Sequence, residues 1–128
     1  MDPMERKAIG VQTEQGFSTS AVRGAGFLFT KGSIGTDPET GELPEDVETQ
    51  TRNTLERLHK VLEDADSSLA RLVKVNVYLN DIEADFDRMN EAYRQYFAAH
   101  GIEEPPARTT VGCRLPWSKV EIDMVALA

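Results

Sequence analysis

The chain has 128 residues, a formal charge of -8 and one cysteine: enough length for a single self-sufficient domain, and too few thiols for an internal disulfide. The acidic balance, unbroken by any Lys/Arg run, argues against a nucleic-acid partner. No apolar stretch approaches the roughly 20 residues of a membrane span, and Met1-Asp2-Pro3-Met4-Glu5-Arg6-Lys7 lacks the apolar core of a secretion signal. The expectation is one soluble domain over 1–128, cytoplasmic, or in the mitochondrial matrix if the source is eukaryotic. His59 and His100, with one cysteine and no ligand-like spacing, argue against a structural zinc site. No metal or cofactor is expected.

Residues 1–15 are polar and are read as a mobile N-terminal segment. Ala21 to Gly35 reads as a hairpin: Ala21-Val22-Arg23, a Gly24-Ala25-Gly26 turn whose glycines supply the unusual angles, then Phe27 to Lys31. Asp37-Pro38-Glu39-Thr40-Gly41 is a loop. A helix is predicted from near Pro44 to Asp64–Asp66, with Leu55, Leu58, Val61 and Leu62 as its apolar stripe. Leu72 to Leu79 is the clearest strand, with Val73, Val75, Val77 and Leu79 on one face and Lys74, Asn76 and Tyr78 on the other. Asn80 and Glu83 resemble a capping box for a second helix, whose buried side is Phe86, Met89, Tyr93 and Phe97 and which stops at Gly101. Strands around Arg108–Gly112 and Val120–Leu127 close the chain.

The predicted order is ββαβαββ, an α+β domain with a mixed sheet and two helices on one face. Two helices cover one face only. Phe27 and Phe29 alternate with Leu28, making that strand apolar on both sides. In the last strand Val125 and Leu127 share the face of Glu121 and Asp123, so the second sheet face is too apolar for water and too polar for a dry core. An assembly of identical chains is the expected cover.

The most informative stretch is Pro105-Pro106-Ala107-Arg108-Thr109-Thr110-Val111, followed by Leu115-Pro116 and Val120-Glu121-Ile122-Asp123. It carries a planar cation that matches a carboxylate and a glutamate able to accept a proton from water. If both faced one pocket, they would suit hydrolysis of a small carboxylate-bearing molecule. That ending, with Ser20-Ala21-Val22, Gly35-Thr36-Asp37-Pro38-Glu39-Thr40-Gly41-Glu42-Leu43, Val73 to Leu79 and Met89-Asn90-Glu91-Ala92-Tyr93, resembles the YjgF/RidA family from Gly16 to Ala128. The resemblance implies a chorismate-mutase-like fold, a homotrimeric barrel with clefts between subunits, and hydrolysis of reactive enamines and imines to 2-keto acids and ammonia. Other members are pathway-specific deaminases, and some have no established reaction. The family's old ribonuclease label sits badly with this acidic composition.

By that resemblance Arg108 grips the substrate carboxylate; the alternative is an ion pair with Glu121 on a neighbouring strand. Glu121 positions or activates water, or is a solvated or paired strand residue. Asn90, on the apolar stripe of the second helix, either contacts ligand or ties the helix to backbone. Thr110 stands where many members have cysteine and offers its backbone N–H. Cys113 is read as a small buried filler. Two departures matter. Gly16-Phe17-Ser18-Thr19 replaces the family's Gly-Pro-Tyr-Ser, leaving Phe17 as an apolar wall. Lys31-Gly32 stands where a serine usually precedes the glycine. Lys31 could bind an anion, pair with Glu121, form a Schiff base, or simply lie on the surface. The span from Arg108 to Glu121 is slightly short and holds Trp117. These departures leave three readings: general imine deaminase, pathway-specific deaminase, or non-catalytic binder of small acids.

Overall fold

Two strands at the middle of the sheet organise everything else. In the computed structural model, which describes residues 5–14 and 16–128, β4 (Leu72–Leu79) and β6 (Val120–Leu127) run antiparallel side by side. Both alternate: Val75, Val77 and Leu79 of β4 and Val120, Ile122, Met124 and Ala126 of β6 are buried, while the residues between them face the other way. The remaining strands are β1 (Lys7–Gln12), β2 (Ser18–Gly24), β3 (Phe27–Thr30) and β5 (Ala107–Gly112). They extend the sheet in the order β1-β2-β3-β6-β4-β5, in which only the β4–β5 pair is parallel. Helices α1 (Val47–Asp64) and α2 (Ile82–Ala99) pack on each other, α1 against β6 and α2 against β4. Leu55, Leu58 and Leu62 of α1 and Met89, Tyr93 and Phe97 of α2 meet the strand side chains in one core. The α+β architecture with two helices on one face of a mixed sheet is therefore as the sequence predicts.

Three local expectations need correction. The order is βββαβαββ, because Lys7–Gln12 pairs with β2 as an edge strand. Its side chains are largely exposed, so no apolar alternation announces it. Of the segment read as mobile, residues 1–4 and 15 lie outside the described residues. In the first hairpin the loop is two residues long, and Ala25 (φ 52) and Gly26 (φ 82) carry the left-handed angles. That is the arrangement favoured by strand twist, reached here with an alanine at one position. In β4 the pairing slips between Leu72 and Lys74, which turns Val73 out of the core and leaves it 41 % exposed.

The helix starts also shift. Helix α1 begins at Val47, not near Pro44: the Asp46 carboxylate accepts the Thr49 backbone N–H at 2.8 Å and its hydroxyl at 2.7 Å. These two bonds, the hydroxyl first, hold the Asp46 pKa below its ordinary value. Helix α2 is capped by Asp81, which accepts from the Ala84 N–H at 3.2 Å. Asn80 instead accepts the Leu115 N–H at 2.8 Å and anchors the loop between β5 and β6.

The uncovered sheet face divides in two. At one end Phe27 and Phe29, paired with Leu127 and Val125, leave a solvent-exposed apolar patch. At the other, Asp123 accepts from Asn76 Nδ2 at 2.8 Å and from the Tyr78 hydroxyl at 3.0 Å. Partial burial, then the bond to Asp123, raises the Tyr78 pKa. No helix of the described residues is long and apolar enough to cross a membrane.

Candidate functional site

Strand parity decides where the two charged residues go. Arg108 of β5 stands opposite Val75 and so shares the helix-covered face, whereas Glu121 of β6 stands opposite Tyr78 on the uncovered face. Strand β4 runs between them. The two segments are therefore not neighbours in the sheet, and among the described residues no Arg108–Glu121 ion pair forms. The single chain does not bring the guanidinium and the carboxylate into one crevice.

Arg108 opens onto a hollow of about 400 Å³ between α2 and β5, lined also by Asn90, Tyr93, Phe97, Ile102 and Pro106. Its guanidinium carbon lies 4.7 Å from the Tyr93 ring centroid and 5.9 Å from that of Phe86. Two aromatic rings thus support a cation that pairs with no carboxylate among the described residues. Arg94, on the same wall, is already bound to Glu91. The Tyr93 hydroxyl is buried without a partner, and burial, only partly offset by Arg108, pushes its pKa up to about 12. Asn90 lines the hollow and makes no bond to nearby backbone among the described residues, so the tethering role is not observed. Thr110 shares the face of Arg108, and its buried hydroxyl oxygen is also unpartnered.

Glu121 faces a second hollow, of about 470 Å³, with Gln12, Ser20, Lys31, Gly32, Ser33 and Trp117. Its Oε1 accepts from Trp117 Nε1 at 3.3 Å. Gly32 packs so closely that a Cβ there would overlap the carboxylate, its Cδ only 3.0 Å away. Hence glycine at that position follows from a close approach, with no need of a special backbone angle. Lys31 enters this hollow but donates to Ser18 Oγ at 3.4 Å, without an ion pair to Glu121 among the described residues. Phe17 precedes that serine, is 83 % exposed, and lines neither hollow.

One residue missed by sequence reasoning supports this second hollow from below. Gln50 is fully buried in α1. It donates to the Pro44 carbonyl at 2.6 Å and accepts the Lys119 N–H at 2.9 Å, two residues before Glu121. A glutamine among helical apolar positions is the signal that could have found it, since a buried amide needs partners. Cys113 is exposed, contrary to expectation, because β5 ends at Gly112 and the chain turns outward there; its N–H still bonds Leu79 at 2.9 Å.

Known proteins resemble this chain over nearly all of its length. The model of the family described as Endoribonuclease L-PSP matches residues 7–128. A RutC family protein of Pyrococcus abyssi is 43% identical over 112 residues, 86% of this chain and 84% of the relative. TdcF of Escherichia coli K12, whose name proposes a reactive intermediate deaminase, is 33% identical over 126 residues, 95% of this chain and 97% of TdcF. Among solved structures, E. coli TdcF with bound serine superposes with a TM-score of 0.84 at 33% identity, covering 95% of this chain and 98% of that one. The E. coli YjgF gene product gives 0.84 at 32% identity, covering 94% and 98%.

Proposed function

The chain belongs to the YjgF/RidA family, and from that premise we propose that it is a hydrolytic deaminase of small imine or enamine carboxylic acids, working as a homotrimer. The observation that carries this reading is the Arg108 guanidinium, held on two aromatic rings at the mouth of a hollow and in no ion pair with a carboxylate among the described residues. A small substrate carboxylate supplies the missing charge with matching fork geometry. Asn90 gives the hollow an amide for the substrate's other polar atoms.

The catalytic glutamate must then come from another copy. Arg108 and Glu121 lie on opposite faces of one sheet, so the pair meets only where the uncovered face of one protomer abuts the edge of the next. The exposed Phe27, Phe29, Val73 and Leu127 give that contact its apolar area. In such a cleft Glu121 takes a proton from water as the oxygen attacks the electrophilic C=N carbon. It returns that proton to nitrogen to give a carbinolamine. The hydroxyl proton then passes through Glu121 to the nitrogen as the C=O forms and the C–N bond breaks, and 2-keto acid and ammonia leave. No covalent intermediate is needed, so positioning supplies most of the acceleration.

A second reading, a non-catalytic binder of small acids, is favoured by one observation: within a single chain Glu121 does not lie beside Arg108. The deciding assay generates 2-aminoacrylate or 2-aminocrotonate with a dehydratase and times ammonia and keto-acid release with and without this protein. Acceleration is expected, falling about 100-fold in kcat/KM in Arg108→Ala, a typical loss when one side of a buried charged contact is truncated. No acceleration, together with tight keto-acid binding, establishes the binder instead.

A further inference from the structure

The helices hold a cluster that the deaminase reading does not use. Glu56 and His59 sit three residues apart on α1, and His100 follows the end of α2; one ligand-type atom from each lies within 4.8 Å of the others. We propose that Glu56, His59 and His100 form a site for a divalent transition-metal ion, Zn2+ by preference, that bridges the two helices. Two imidazoles and a carboxylate on a soluble helix pair suit this ion class, with a fourth position left to water.

The hydrogen bonds around Tyr96 prepare both imidazoles for it. The Tyr96 hydroxyl donates its one proton to Glu56 Oε2 at 2.7 Å. His59 Nδ1, 2.9 Å from that hydroxyl oxygen, must therefore be the donor between them, which in the neutral ring leaves Nε2 as the free ligand atom. His100 Nδ1 lies 2.7 Å from the Tyr96 carbonyl oxygen, which can only accept, so its Nε2 is bare as well. Ligating histidines are commonly held in this way, the far ring nitrogen donating to a carbonyl or a polar group that fixes the tautomer. Glu56 keeps Oε1 for the ion while Oε2 is fixed by Tyr96.

Donors on one tetrahedral Zn2+ at about 2.0–2.2 Å stand about 3.4 Å apart, so the three groups must close by roughly an ångström. Glu56 and His100 are exposed side chains and can rotate that far. The surroundings favour a cation: Glu63 approaches His59 Nε2 at 3.9 Å, and His100 sits at a helix C-terminus. A purely structural role, in which Tyr96 merely ties the two helices, would use the same protein bonds but predicts no ion.

The test titrates chelator-treated full-length protein with Zn2+ by calorimetry and counts bound metal after dialysis. One ion per chain is expected, with a Tm that climbs as Zn2+ is added, because an ion bound only by the folded state stabilises it. His100→Ala, at an exposed position, should weaken binding at least tenfold, and Tyr96→Phe about 10- to 100-fold through the freed imidazole. His59→Gln, checked for an unchanged circular dichroism spectrum, should behave like His100→Ala. Wild-type protein that takes up no Zn2+, or uptake unchanged in both histidine variants, overturns the site.

Discussion

Around Arg108 a charge rests on the faces of Tyr93 and Phe86 inside apolar walls, whereas around Glu121 it is held by an indole N–H and pressed against bare backbone at Gly32. The first hollow is built from α2 side chains, Arg108 of β5 and the loop that joins those two elements. The second is built from strand residues, the loops after β3 and β5, and Arg57 and Val61 of α1, whose Gln50 also holds the Lys119 N–H. On the proposed reading, one chain alone recognises the carboxylate, while hydrolysis needs a partner. On that reading, a binding half and a catalytic half should fail in different ways when mutated.

The strongest way to break that division is to mix two inactive proteins. Arg108→Ala and Glu121→Gln, co-refolded in equal amounts, should regain about a quarter of the wild-type sites if each site draws Arg108 and Glu121 from different copies of a cyclic trimer. No recovery would mean that the two residues never share a site across subunits. Next in size, Phe29→Asp places a charge in the exposed apolar patch and should shift the sedimenting mass from trimer to monomer with loss of deaminase activity. A wild-type protein that sediments as a monomer removes the basis for the comparison altogether.

Gly32→Ala touches only the second hollow. Its Cβ would displace the Glu121 carboxylate, and a misplacement of about 1 Å costs up to about 100-fold in rate. The expected result is a fall in kcat with KM nearly unchanged, since the Arg108 hollow is left intact. An equal rise in KM would show that the two hollows are not separable. Smallest is Asp46→Ala, which removes the α1 cap four residues before Gln50 and should cost about 1 kcal/mol in urea unfolding. The Asp46 pKa is depressed in the folded state. Its contribution is therefore full above the ordinary carboxylate pKa and disappears as pH falls through the lowered folded value. The gap between wild type and Asp46→Ala should close in that acid window; a gap that persists would assign the cap another origin.

What the sequence showed, and what it hid, follows from which interactions are local. Strands β4 and β6 were legible to their last residue because alternation is a local consequence of one buried face. Strand β1 was hidden because an exposed edge strand needs no pattern, and its pairing partner is set by tertiary contacts. The α2 cap went to Asp81, and not to Asn80, because Asn80 found the Leu115 N–H 35 residues away. Arg108 and Asn90 were singled out by family motif and helix spacing, and the fold brings them to one hollow, where Tyr93, read only as a core residue, joins them. That Glu121 lies on the uncovered face was legible from its alternation with Val120 and Ile122; that Arg108 lies on the other, with β4 between the two strands, was announced by no residue in either. The histidines looked unrelated at a separation of 41 positions, and only the docking of α1 on α2 brings their rings to 5.1 Å.

Cys113 offers a practical handle on the assembly. With one thiol per chain, exposed at the end of β5 yet fixed by its backbone bond to Leu79, a maleimide dye attaches at a single defined point. Donor- and acceptor-labelled pools, once mixed, would then report by energy transfer how fast protomers trade places, a clock for the lifetime of every cleft built from two chains.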